Sequence, residues 1–264
     1  MARNARASAT ATPAGSSAVL TAGPLADLDT LRTQLRQLQD EARWRRDAWA
    51  FVSECVTTVD ELDAVSPIKP FPVAVCAPCE RYVGHVDRLR CPRCGAAPAP
   101  LAYLEQLARQ WQSATPPLLL VPKARRMRLT WLFMALHVWL AWTRPASKSF
   151  VVSSKQEKSG ELIERARGII ARLPFTLHVT SRSDPPELRL SETDALVMGV
   201  AEGADQLRQY TATAILADEF GTWVWPRNAY AAMRPCIDGG GRLTVLSSAY
   251  PGFWRELVAG EALG

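Results

Sequence analysis

The sequence predicts an α/β fold, a mostly parallel sheet covered by helices on both faces, with a small cysteine-based ribbon beside it. Three observations carry this. From Leu118 onward, short apolar runs of β type alternate with helical segments, the pattern of strands buried on both faces and joined by crossover helices. Of 264 residues 48% are hydrophobic, and Lys+Arg (31) nearly balance Asp+Glu (26) at a net charge of +5. Such a chain can bury a core and is not a globally disordered polyelectrolyte. Four of the six cysteines stand in two C-x2-C pairs, a spacing that points to metal before disulfides in a reducing compartment.

Taken in order, residues 1–24 are rich in Ala, Ser, Thr and Gly without a period and are expected to be a disordered tail. Arg3 and Arg6 are present there, but no apolar stretch of a secretory signal follows, so the cytoplasm is the default compartment. Residues 25–72 form an N-terminal helical region and connector. Leu28, Leu31, Leu35 and Leu38 recur at helical spacing, which predicts a helix running toward Cys55 that packs on its own domain or pairs with a partner in a short coiled coil. Ser66 to Pro72, SPIKPFP, holds three prolines and must be extended. Residues 73–98 are the ribbon, and 99–264 the α/β core. The most apolar stretch, Leu129 to Trp142, contains Thr130 and His137 and falls short of the ~20 residues that a membrane span needs.

The cysteines Cys76, Cys79, Cys91 and Cys94 read C-x2-C-x11-C-x2-C, with Gly95 following. Each pair can set two thiolates on one side of a tight turn, and Zn²⁺ takes four such ligands tetrahedrally. Gly95 fits a turn that needs positive φ. Four thiolates leave no open coordination position, so the expected zinc is structural. Nearby Arg81, Arg88, Arg90 and Arg93 either contact a phosphate backbone or simply face water. Cys55 and Cys236 are expected as buried apolar fillers.

Leu118 to Val121 reads as a strand, Pro122 to Thr130 as a loop and Trp131 to Trp142 as a helix. This is the layout in which backbone amides and a helix N-terminus cradle phosphates. The glycines of the usual phosphate-loop pattern are absent, and Leu129 stands where its lysine would be. Thr130 remains as a hydroxyl placed for Mg²⁺, and Lys123, Arg125, Arg126 and Arg128 crowd the loop. A basic surface loop or a nucleic-acid contact is the alternative. AILADE then ends an apolar strand in Asp218 and Glu219; one acid can hold Mg²⁺ and its neighbour can polarise water, unless both are turn residues. In this order and separation the two elements indicate a P-loop ATPase of the additional-strand type. RLTVLSS places Ser247 and Ser248 at the end of a later strand, where a hydroxyl senses a γ-phosphate or makes a turn before Pro251 and Gly252.

These segments resemble the ATPase part of large terminase subunits, the DNA-packaging motors of tailed bacteriophages. The resemblance runs from about Trp49 to Val258 through SPIKPFP, LLLVPKARRMRLTW, FVVSSKQEKSGELIERA, GVAEGADQLRQYTATAILADE and GGGRLTVLSSAYPG. Several relatives carry the phosphate-loop lysine at the loop's beginning, which corresponds to Lys123. The resemblance implies that ATP is bound along Pro122, Lys123, Ala124, Arg125, Arg126, Met127, Arg128, Leu129 and Thr130. It assigns Lys123 to the β/γ-phosphates and Arg126 to the γ-phosphate, Mg²⁺ to Thr130 and Asp218, water activation to Glu219, and coupling to Ser247 and Ser248. It sets SPIKPFP where the family reads adenine, and Arg208 in a motif with a sensor role or a structural ion pair.

The implied partners are double-stranded DNA, a small terminase subunit, a portal protein and further copies of the chain in a ring on the capsid, in the host cytoplasm and without a membrane. Two departures stand out. The cysteine ribbon is an insertion, a candidate contact for DNA or a partner. The chain also ends at Gly264, soon after Glu219, so the nuclease that usually follows is expected on a separate polypeptide or lost from an incomplete, prophage-derived gene product. A zinc-ribbon nucleic-acid-binding protein with an inactive ATPase fold, or an assembly subunit, is the competing expectation.

Overall fold

The computed structural model describes residues 28–60, 63–203 and 205–262; the expected tail, 1–24, lies outside them. The chain divides into two units, Met1–Asp40 and Glu41–Gly264. The described part of the first is the start of helix α1 (Leu28–Arg46). Its Leu28, Leu31, Leu35 and Leu38 recur along that helix and are exposed.

In the second unit, the predicted single helix to Cys55 is broken at Asp47. Its side chain accepts the N–H groups of Trp49 and Ala50 at 2.9 and 3.1 Å, which caps a separate helix α2 (Ala48–Cys55) as a short acidic side chain does best. Strands β1 (Thr57–Val59) and β2 (Ile68–Pro70) pair antiparallel. The ribbon follows as β3 (Ala74–Cys76), β4 (Arg81–Val83) and β5 (Ala99–Pro100), in the order β4-β3-β5. Helix α3 (Ala102–Ser113) leads into the core.

The core elements are β6 (Leu118–Pro122), α4 (Leu129–Thr143), β7 (Lys148–Ser153), α5 (Gln156–Ile170), β8 (Val179–Ser183), β9 (Pro186–Leu190), β10 (Ala195–Ala201), β11 (Ala214–Ala217), α6 (Pro226–Met233), β12 (Arg242–Ser247) and α7 (Phe253–Val258). Seven strands form one sheet in the order β6-β12-β11-β7-β10-β9-β8. The first five are mutually parallel, and β9 and β8 extend the sheet antiparallel. Strand β12 lies between β6 and β11, which is the predicted additional-strand arrangement.

Both faces are covered, which is why the strands read as unbroken apolar runs. Val151, Leu216 and Leu246 face a core completed by α2, α3, α4 and α5. Phe150, Val152, Ile215, Ala217, Leu243 and Val245 face a second core closed by α6 and α7. Helix α4 is buried nearly all round, Leu132 to Trp142 included, hence its uniform hydrophobicity. Among the described residues no helix is long and apolar enough to cross a membrane.

Candidate active site

The loop between β6 and α4 occupies residues 123–128. Lacking glycine, it sets Arg126 (φ 65) and Arg128 (φ 61) in the left-handed region, at about 1–2 kcal/mol each. Arg128 is the residue preceding α4, with no side-chain cap on that helix, so the first amides of α4 are open to an anion. A cavity of about 180 Å³ lies there, lined by Lys123, Ala124, Arg126, Met127, Arg128, Leu129, Thr130, Trp131 and Arg165. Pro122 ends β6, and Arg125 is exposed on the loop.

Strand β11, two strands away from β6, delivers the acids. Its ladder extends one residue, the Asp218 N–H donating to Val152 O at 3.0 Å, and the Asp218 side chain is buried. Thr130 Oγ1 lies 3.2 Å from Asp218 Oδ2. Lys123 Nζ is 2.5 Å from Glu219 Oε1 and 3.9 Å from Asp218 Oδ1. Burial pushes the Asp218 carboxyl above the usual carboxylate range, against the pull of the Lys123 ammonium; the Glu219 charge adds to the rise, and Thr130 and Arg165 oppose it. A hydroxyl beside a buried carboxylate is a pair of hard oxygen donors suited to Mg²⁺.

Ser247 joins the two loops. Its carbonyl accepts the Lys123 N–H at 2.9 Å, and its Oγ accepts the Gly221 N–H at 2.9 Å. A Cβ on Gly221 would stand 2.7 Å from both Ser247 Oγ and Tyr250 Cβ, so the acid-bearing loop is pressed against the end of β12. Ser247 is fully buried and Ser248 partly so. The Ser247 hydroxyl oxygen thus serves the contact between the end of β12 and the acid-bearing loop.

Lys123, Arg126, Thr130, Asp218, Glu219 and Ser247 thus come together. Arg208 does not join them. It lines a separate cavity with Tyr210, Thr211, Ala232, Cys236 and Gly239, next to the segments that enter β11 and β12, whereas the acids stand at the exit of β11. Within one chain it does not line the cavity beside the loop. In the SPIKPFP segment Lys69 pairs with Asp63 at 2.6 Å and Phe71 is buried in the core; neither lines the cavities beside the loop. What does stand there is a second cavity of about 570 Å³, lined by Tyr103, Gln106, Leu107, Gln110, Val121, Pro122, Met127 and Leu129. It shares Met127 and Leu129 with the first.

Sequence reasoning missed Arg165, Tyr103, Gln106 and Gln110. Gln106 and Gln110 carry a readable signal, an i, i+4 pair on the helix that enters the sheet. Arg165 carries none, being one of several cations on α5.

The four cysteine sulfurs lie within 4.8 Å of one another, the one group of metal-ligating side chains among the described residues. Cys76 Sγ and Cys94 Sγ are 3.5 Å apart, against roughly 3.8 Å between the sulfurs of a tetrahedral zinc site with ~2.3 Å bonds. The residues fit that ion. Each pair sits on a turn closed by a left-handed residue, Glu80 (φ 49) and, as expected, Gly95 (φ 74). The N–H groups of Cys94 and Arg93 hold Cys91 down at about 6, so one thiolate is favoured before any metal arrives. Cys55 and Cys236 are buried elsewhere, as anticipated.

No family model and no curated protein matches the chain. Among solved structures it is similar to the large terminase ATPase domain of Thermus phage P74-26, with 16% identity and a TM-score of 0.45, over 53% of this chain and 61% of that one. It is similar to the HK97 bacteriophage large terminase at 12% identity and a TM-score of 0.47, over 62% and 36% of the respective chains. A third likeness, at 13% identity and a TM-score of 0.40, is to the large terminase of a thermophilic bacteriophage in complex with ADP, over 52% and 36%. The chain therefore spans about 61% of the first of these proteins and about 36% of the other two.

Proposed function

We propose that the chain is an ATPase, the motor module of a terminase that packages viral DNA. One observation carries the reading: Lys123, Thr130, Asp218 and Glu219, from two distant segments, converge beside one cavity at the open start of α4. Arg126, Arg128 and Arg165 add positive charge around it, as a triphosphate requires. The adjoining cavity has the size for the base, and the amides of Gln106 or Gln110 are able to donate to and accept from an adenine edge, as such amides do elsewhere.

In this reading Lys123 turns from Glu219 to the β/γ-phosphate oxygens and releases the carboxylate. Glu219 then orients the attacking water and accepts its proton; Thr130 and Asp218 would hold Mg²⁺, which when bound would neutralise the charge of the transferred phosphoryl group. Ser247, hydrogen-bonded to both loops, would carry the change between them. The resemblance of the sequence segments, in order, to those of large terminases supports DNA as the cargo, with a small subunit, a portal and further copies as partners. The test is Mg²⁺-dependent ATP hydrolysis by the purified chain. If ATP fails to bind a zinc-loaded, folded sample at millimolar concentration, the reading is wrong.

A second reading has its own observation. Arg81, Arg88, Arg90 and Arg93 are all exposed on the ribbon, as a nucleic-acid contact would be. Under it, binding to duplex DNA falls steeply with salt and is indifferent to ATP.

A further inference from the structure

The zinc ribbon and the phosphate loop touch. Strand β4 runs between the two cysteine pairs, with Tyr82 opposite Val75 and Arg81 opposite Cys76. From it the Tyr82 hydroxyl reaches Arg126 O at 3.5 Å, and the Arg128 guanidinium carbon lies 5.5 Å from the centre of its ring. From α3, Tyr103 donates to Met127 O at 3.1 Å. Three consecutive loop residues are thus held by two phenols, and two of the three are the arginines in the left-handed conformation. A loop with glycines would adopt that conformation without help; this one needs an outside hold.

The ribbon has little to hold itself. Its own apolar cluster is Val73, Ala74 and Val83, with Trp49 against it, far too small a core to order three short strands unaided. In such modules metal binding is folding free energy. Where the ribbon meets the connector it is well seated: the Val73 N–H donates to Val83 O at 2.9 Å, and Gly84 packs so closely on Pro70 that a Cβ would collide. Those contacts anchor the Val83 end of β4, whereas its Arg81 end pairs with the ligand Cys76; loss of the metal loosens that end, and Tyr82 with it.

We propose that zinc bound by Cys76, Cys79, Cys91 and Cys94 sets the conformation of the phosphate loop through Tyr82, and with it the affinity for nucleotide. Tyr82 is a positioning residue: it acts through the backbone of Arg126 and the side chain of Arg128. The second half of the proposal rests on the nucleotide reading of the cavity; the first half does not.

The loop carries its own reporter, since Lys123, Arg125, Arg126 and Arg128 are trypsin sites. The experiment compares the zinc-loaded full chain, the chain stripped by a chelator under reducing conditions, and a zinc-loaded Tyr82→Ala variant. Cleavage at these four positions is followed by mass spectrometry and Mg²⁺-ATP affinity by calorimetry. Stripping and Tyr82→Ala should each speed loop cleavage and weaken ATP about tenfold, while Tyr82→Phe, which keeps the ring beside Arg128, should fall between. A chain that takes up no zinc overturns the proposal. So does equal loop cleavage in the zinc-loaded parent and Tyr82→Ala, a comparison that survives even if stripping unfolds the protein. If zinc protects the loop but the loaded chain binds no ATP, the ATPase reading fails and the brace stands.

Discussion

Lys123 Nζ lies 2.5 Å from Glu219 Oε1: the ammonium suited to phosphate is held by the carboxylate suited to activate water. The Lys123 side chain is 9% exposed and that of Glu219 45%, so the pair bridges the buried floor of the cavity and its rim. On the proposed ATPase reading, an incoming triphosphate would have to win the lysine from the glutamate.

That competition separates binding from turnover. Glu219→Gln removes the rival charge and the proton acceptor together. Steady-state ATPase activity should fall about 10²- to 10⁴-fold, as expected for loss of a general base, while ATP binding is retained or tightened. The comparison is kcat against a Kd measured directly. Full activity in the variant would remove Glu219 from the chemistry.

Asp218 makes the opposite trade. Its carboxyl is raised above the ordinary value chiefly by burial, so the fold disfavours the charged form. A raised folded pKa gives stability that is present at low pH and is lost as pH rises through that pKa. Asp218→Asn should therefore melt higher than the parent near neutral pH, with the difference shrinking on acidification, while Mg²⁺-dependent hydrolysis disappears. Melting curves from pH 4 to 8 check the sign; a variant that melts lower throughout contradicts it.

The legible parts of this molecule were those where chemistry and burial leave a pattern along the chain. Val151 and Val152 face different cores, so β7 shows as an apolar run. Cys76 to Cys94 show as spaced ligands, and Thr130, Asp218 and Glu219 as acids and a hydroxyl at element ends. The β8–β9 hairpin left no such trace. Thr180 to Ser183 are exposed at the sheet edge, and Pro185 and Pro186 look like a loop, although Pro186 is tolerated as the first residue of a strand. Arg208, which the resemblance set in a motif with a sensor role or a structural ion pair, stands beside the segments that enter β11 and β12, a strand's length from Asp218. Ser247 looked like a sensor, but its burial and its bond to Gly221 depend on a segment 26 residues earlier, which no local pattern reports.

His137 gives a stability prediction remote from the site. It is fully buried on α4, its ring 5.6 Å from that of Trp111, and neither ring nitrogen has a hydrogen-bond partner among the described residues. Burial, aided by the nearby Arg242, brings it down to about 3. The unfolded chain takes up a proton near pH 6.5 and the folded one does not, so stability drains away as pH falls from about 6.5 toward 3. At pH 5 this amounts to about 2 kcal/mol for one histidine. Urea unfolding of His137→Leu beside the parent at pH 7.5 and pH 5 should show the variant losing less on acidification. Equal losses would mean the histidine is already charged or exposed in the folded protein.

Arg165 is the residue that only the fold brings to the site. It comes from α5, its guanidinium carbon 4.8 Å from the centre of the Trp131 ring, and it lines the same cavity as Lys123. Because it also helps to hold the Asp218 carboxyl down, it has two measurable effects. Arg165→Ala should raise KM for Mg²⁺-ATP about ten- to hundredfold, the loss expected for one charge-assisted hydrogen bond to phosphate, with kcat at saturating ATP changed much less. The acid limb of the activity profile should move to higher pH, since Asp218 is then easier to protonate. Arg165→Lys keeps the charge but not the flat stack on Trp131, so it should restore the pH limb more fully than KM. An unchanged KM in Arg165→Ala would show that phosphate is bound without it, and an unmoved acid limb would remove its influence on Asp218.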